Sequence, residues 1–276
     1  MSAATDRATG IGFAVLVALL GVSLSASAAL AQAGRGRGPY TIDPRAQERT
    51  YRFEAAGKDM PYCTYVSSKV DRNTPAPLVI GLHGAGTGPG IMCDTAIVDQ
   101  VEAGGYILAA PMGYNERGGY GAPRRAGRGG DADEPANISE LSEQDVMNVL
   151  RMMLDEFNVD RNRIYLMGHS MGGGGTMYLG PKHAEIWAAI APIAGGGGRP
   201  NQTELLQRLK DAGVAVIVSH GEADATVPVQ GSRDLAAELK AMGIPSEYVE
   251  MPGVGHGPIV NLAQERIFQF FARHSR

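Results

Sequence analysis

Apolar positions along the chain fall into two rhythms. Short unbroken apolar runs at residues 78–82, 106–110, 164–167, 186–193, 214–219 and 248–251 predict strands, most of them covered on both faces, as in a parallel sheet. Two earlier segments, 50–55 and 62–66, are joined through Gly57-Lys58-Asp59 and predict an antiparallel start. Between the runs the spacing becomes helical. Val146, Val149, Leu150, Met153, Leu154 and Phe157 follow Ser142-Glu143-Gln144-Asp145, which supplies an N-cap signal. Residues 234–242 predict a helix stopped by Gly243 and Pro245. Pro258 stands at a first-turn position before a last helix, with Leu262, Ile267, Phe270 and Phe271 facing inward. This alternation predicts the α/β class: a mostly parallel central sheet with helices on both faces, in a single domain over 46–276.

The first 45 residues do not share the pattern. Arg7, offset by Asp6, precedes an apolar core at 11–22 that is short for a membrane span. Ala29-Leu30-Ala31 and Ala31-Gln32-Ala33 both fit a cleavage site, so residues 1–33 read as a secretory signal peptide, with an uncleaved membrane anchor as the other reading, and 34–45 as a flexible leader. The expected location is secreted or periplasmic, with no stable membrane span once the signal is removed. Export changes the meaning of Cys63 and Cys93, the two cysteines of the chain. An oxidising compartment permits a bridge between them, and two buried thiols are the other reading.

Composition narrows the chemistry. With 276 residues, 44% hydrophobic and 20% charged, the chain can bury a full core. A net charge of −4 gives no basic footprint for nucleic acid. There is no H-E-x-x-H and no C-x-x-C. Gly57-Lys58 lacks the rest of a phosphate loop, and Gly84-Ala85-Gly86-Thr87-Gly88 lacks the spacing of a dinucleotide fingerprint. Oligomeric state is not readable. Residues 112–136 form a long Gly-rich charged stretch, with Arg124, Arg125 and Arg128 ahead of Asp131, Asp133 and Glu134. It reads as a solvated surface loop or as a cover whose arginines meet an anionic group. Met112 and Tyr114 directly follow a strand end and are candidate pocket residues.

One stretch organises the rest. Residues 164–167 run into Gly168-His169-Ser170-Met171-Gly172, then into small residues and a helical segment. Strand, sharp turn and helix, with serine at the bend, make the G-x-S-x-G elbow by which α/β-hydrolases present a nucleophile. A serine hydroxyl needs a base, and the base needs a carboxylate to orient it. In that fold the order is serine, acid, histidine. His256, in the Gly-rich loop 253–257 after the last strand, is the candidate base, and Asp224 the candidate acid, with Glu222 second. His220, ahead of the acid, reads as structural. The oxyanion needs two backbone N–H donors. Met171 follows the nucleophile at a helix start, and Ala85, alternatively Gly84, lies in the loop after strand 78–82. His83 reads as a brace for that loop. His83, His169 and Trp187 complete the candidate pocket, Trp187 reading also as core at the start of its strand.

Together Leu82-His83-Gly84-Ala85-Gly86, Gly168-His169-Ser170-Met171-Gly172-Gly173, His220-Gly221-x-x-Asp224 and Gly255-His256-Gly257 resemble an α/β-hydrolase of the esterase branch. From about residue 78 onward the chain is most similar to secreted feruloyl and acetyl-xylan esterases and polyhydroxybutyrate depolymerases. It is also similar to the catalytic domain of prolyl-oligopeptidase-type peptidases, without their propeller. The resemblance implies ester hydrolysis through a Ser-His-Asp mechanism on a small-molecule or polymeric ester, without metal or organic cofactor. A peptidase, or a non-catalytic binding protein on the same scaffold, are the alternatives. The run Gly172–Gly175 is richer in glycine than that pattern. It should weaken its helix by about 1 kcal/mol per glycine unless close packing requires it.

Overall fold

All seven residues of β3 (Ala76–Leu82) are buried, as an unbroken apolar run at the centre of a sheet requires. The computed structural model describes residues 42–122, 134–195, 197–198 and 201–276. The signal segment 1–33, most of the leader and the arginines at 124, 125 and 128 lie outside the described residues. Residues 42–45, assigned to the leader from sequence, belong instead to the folded body. Ile42 bridges Asp94, and the buried Asp43 carboxylate holds the Arg45 guanidinium at 2.8 Å.

The remaining strands are β1 (Gln47–Phe53), β2 (Lys58–Val66), β4 (Ile107–Pro111), β5 (Val159–His169), β6 (Ala189–Ile193), β7 (Ala215–Gly221) and β8 (Ser246–Met251). They form one eight-stranded sheet in the order β1-β2-β4-β3-β5-β6-β7-β8. β1 pairs antiparallel with β2, and β2 with β4; every other pairing is parallel. The antiparallel start and parallel body therefore match the pattern of apolar runs.

Strand residues alternate between two cores. Leu78, Ile80, Leu82, Leu166, Ile190 and Val216 face one cluster. It is covered by α2 (Ile138–Glu156), α3 (Met171–Lys182), α4 (Gln202–Asp211) and α5 (Gln230–Ala241). Val79, Leu108, Met167, Ala191 and Ile217 face the other, covered by α1 (Thr95–Gly104), α6 (Ile259–Leu262) and α7 (Gln264–Phe271). Among the described residues, no helix is long and apolar enough to cross a membrane.

Several local expectations are corrected. α2 starts at Ile138, so Ser142 is not its cap. Its buried hydroxyl donates to the Gly113 carbonyl and accepts from the Tyr120 N–H, tying the loop after β4 to the helix. The last helix is broken at Ala263, and Leu262 is 55% exposed rather than inward. Pro258 is the N-cap, one position before the first turn. α1 and α4 carry no strong signal in the sequence reading. α4 buries only Leu205, Leu206 and Leu209, too few to stand out from the polar residues around them. Cys63 on β2 and Cys93 form a disulfide with Cα atoms 6.5 Å apart, inside the second core. Closing a loop with a sequence separation of 30 restricts the denatured chain by about 3–4 kcal/mol.

The topology fixes where chemistry can occur. From β3 the chain moves outward to β4, then crosses back to place β5 on the other side of β3. Loops leaving neighbouring strands diverge at such a reversal, opening a crevice at the carboxyl ends of the strands. His83, Ser170, Asp224 and His256 follow the ends of β3, β5, β7 and β8 respectively.

Candidate active site

β5 ends at His169, and α3 starts at Met171, leaving one residue for the turn. Ser170 has φ 56° and ψ −111°, a conformation uncommon outside glycine. The flanking glycines are there for clearance. A Cβ at Gly168 would stand 2.3 Å from the Gly172 carbonyl oxygen, and one at Gly172 would stand 2.1 Å from that of Leu82. Farther along, a Cβ at Gly175 would meet the Tyr120 ring at 2.7 Å. The glycine run is a product of packing: α3 presses its first turns against β3, β5 and Tyr120.

Three of the predicted side chains meet. His256 Nε2 lies 2.9 Å from Ser170 Oγ, and its Nδ1 lies 2.6 Å from Asp224 Oδ2. A carboxylate only accepts, so Nδ1 carries the hydrogen and Nε2 presents a lone pair to the serine hydroxyl. Asp224 has no side-chain exposure. Its Oδ1 accepts the N–H groups of Thr226 and Val227, each at 2.8 Å. Burial alone would raise this carboxyl; the Val227 N–H, His256 and the Thr226 N–H outweigh it and hold it below its ordinary value. Glu222, the second choice for the acid, is exposed and, among the described residues, accepts from the Gly253 N–H at 3.2 Å.

The loop after β3 closes over the elbow. A Cβ at Gly84 would stand 3.5 Å from Ser170 Cβ, so the backbone of this loop runs directly beside the nucleophile. His83 is buried with Nδ1 2.9 Å from the Gly84 carbonyl and Nε2 2.8 Å from that of Met112, and burial pushes its pKa down. The Tyr120 hydroxyl donates to the His83 carbonyl at 3.2 Å. Tyr120 is fully buried, though it sits among glycines that read as surface loop; a lone aromatic between Gly119 and Gly121 was the one available hint. Asp145, also missed, accepts from Tyr51 Oη and the Gly113 N–H at 2.6 Å each, fixing the chain just after Met112.

The candidate pocket residues pack mainly against other side chains. Trp187 is fully buried core, and its indole N–H donates to the Leu179 carbonyl. Met112 contributes its carbonyl to His83, and its side chain packs with Phe53, Met60 and Leu141. Tyr114 joins the same cluster, with Lys58 Nζ 3.7 Å above its ring. His169 is 4% exposed, with its ring against that of His256. Its Nε2–H donates to the His256 carbonyl at 2.8 Å, and the two rings lie 4.7 Å apart. A cleft of about 370 Å³ lined by Tyr51, Phe53, Gln144, Asn148 and Arg151 includes none of the residues around Ser170.

Burial, followed by the neighbouring His256, lowers the His169 pKa to about 4 from 6.5. The unfolded chain therefore binds a proton between pH 6.5 and 4 that the folded chain refuses. Stability should fall with pH across this window, by about 3 kcal/mol for this residue when complete. Unfolding in urea at pH 7 and pH 4.5 should show a smaller pH difference for His169→Gln than for the unsubstituted chain. An equal difference would remove His169 as the cause.

The chain is similar to known proteins in sequence and fold. The family model described as "Dienelactone hydrolase family" matches residues 64–268. Feruloyl esterase B of Neurospora crassa is 27% identical over 136 residues, covering 48% of this chain and 42% of that protein. The match thus spans about two fifths of that relative's length. Probable feruloyl esterase C of Aspergillus oryzae is 26% identical over 213 residues, covering 71% of this chain and 67% of that protein. Among solved structures, a thermostable esterase superposes with a TM-score of 0.68 at 26% identity, covering 85% of this chain and 64% of that one.

Proposed function

Because the chain belongs to the dienelactone hydrolase family of α/β-hydrolases, we propose that it is a secreted serine hydrolase of carboxylic esters, acting through Ser170, His256 and Asp224. The observation that carries this reading is the His256 ring, which reaches the hydroxyl with one nitrogen and the carboxylate with the other. His256 Nε2 takes the serine proton as Oγ attacks the ester carbonyl. The tetrahedral oxyanion is held by the backbone N–H groups of Met171 and Ala85, with Gly84 as the alternative donor. Met171 N–H opens a twelve-residue helix, whose terminus favours negative charge. His256 then protonates the leaving alcohol. A water deprotonated by the same nitrogen releases the acid from the acyl-enzyme.

Export is supported by the apolar core at 11–22 and by the Cys63–Cys93 disulfide, a bond that persists in oxidising compartments. The esterase names of the relatives favour esters of aromatic acids as first substrates. Methyl ferulate, p-nitrophenyl esters of graded acyl length and a peptide p-nitroanilide, assayed side by side, test the reading. Turnover of esters with little or none of the anilide is expected. A preference for the anilide would make the chain a peptidase, and inertness toward all of them a binding protein.

A further inference from the structure

We infer that His220 is a positioning residue for the acid of the triad: it holds Asp224 against His256 and sets how strongly that carboxylate retains the imidazolium proton. The inference rests on the serine-hydrolase reading above. His220 lies in β7, near its carboxyl end, and is fully buried. Its Nε2 lies 3.1 Å from Asp224 Oδ2 and 3.1 Å from the Val227 carbonyl oxygen. Neither oxygen has a proton to give, so Nε2 carries the hydrogen. Nδ1 is left with its lone pair, and Ser232 Oγ, 2.7 Å away and buried on α5, donates to it. The serine thus fixes the tautomer that serves the carboxylate.

Asp224 Oδ2 therefore receives N–H groups from two imidazoles, His256 at 2.6 Å and His220 at 3.1 Å. Oδ1 receives two backbone N–H groups. All four acceptor positions of the carboxylate are filled at a site closed to water. Without His220, one lone pair of a buried charge would be unsatisfied, and its density would be drawn onto His256 instead. A donor to Oδ2 thus moderates the pull of Asp224 on the imidazolium that forms in each half-reaction.

The surrounding charged groups leave this role to His220. Glu250 on β8 pairs in register with His220, but its carboxylate turns outward to Arg233 on α5 and to the Tyr248 hydroxyl. His169, at the end of β5, reaches the backbone of His256. Glu222 bonds the Gly253 N–H on the exposed side. Among the described residues, Asp224 is the carboxylate bonded to His220.

The test is the pH profile of kcat/KM on p-nitrophenyl acetate for the unsubstituted chain, His220→Phe, His220→Gln and Ser232→Ala. Thermal midpoints and fluorophosphonate labelling are measured alongside. Phenylalanine keeps the ring volume and loses the donor. The acidic limb should move up by about one pH unit, a loss of about tenfold on that limb. Glutamine, whose amide can donate to Oδ2, should return the limb to its original place. Ser232→Ala should shift it the same way by less, because the tautomer is then no longer fixed. If His220→Phe does not fold, the Gln and Ala variants carry the comparison. Coincident limbs in every folded variant, with only thermal midpoints changed, would overturn the inference while leaving a labelled, active enzyme intact. Failure of the unsubstituted chain to label or hydrolyse would overturn the serine-hydrolase reading, and this inference with it.

Discussion

Ser170→Ala should lower kcat on an ester by roughly six orders of magnitude, leaving a protein with an unchanged circular dichroism spectrum. The size of the loss follows from what the substitution removes. Without Oγ there is no acyl-enzyme, and His256 has no proton to take. Only binding and the backbone donors remain, which act on water far less effectively than on a placed hydroxyl. The fold should survive because the elbow is built by its neighbours. Gly168 and Gly172 provide clearance, and the Ser170 N–H is held by the Ile193 carbonyl at 2.8 Å. Alanine at φ 56° is strained as serine is, so stability should change little. Turnover retained in pure Ser170→Ala protein would end the assignment.

Asp224→Asn should lower kcat by roughly 10⁴, and the local hydrogen bonds say why. Thr226 and Val227 both donate to Oδ1, so the amide oxygen of asparagine must take that position. The amide nitrogen then stands where Oδ2 was and donates toward His256. Nδ1 becomes the acceptor, the hydrogen moves to Nε2, and Nε2–H faces the serine hydroxyl, unable to take its proton. The same nitrogen confronts the His220 N–H, adding a donor–donor conflict. Glu222→Gln is the matched control: among the described residues its carboxylate bonds the Gly253 N–H on the exposed side, and activity should stay within a few-fold. Kinetics of the two variants on one ester decide between the acids, and a larger loss in Glu222→Gln would move the role to Glu222.

What the sequence reveals about this chain tracks how local each cause is. Residues 164–172 are legible because one short stretch carries a buried strand, a turn that tolerates only glycine and the reactive hydroxyl. β3 is legible because seven buried residues in a row leave no other element. Tyr120 is not: its burial depends on Gly175 of a distant helix leaving room for a ring. Ser142 carries a cap signal that tertiary contacts redirect to Gly113 and Tyr120. Trp187 keeps the core place that its apolar strand suggests, while Leu262 does not, since the side it faces is set by where α6 breaks. The bond of His220 to the acid is not legible either, because Asp224, the fourth residue after it, reaches back only once the strand has ended.

The most direct test of the account is covalent. Treating the purified chain with a fluorophosphonate and mapping the adduct by peptide mass spectrometry should give one modification, on Ser170. Labelling should disappear in His256→Ala, because the hydroxyl then lacks its base. No adduct, or an adduct on another residue with Ser170 untouched, would contradict the account.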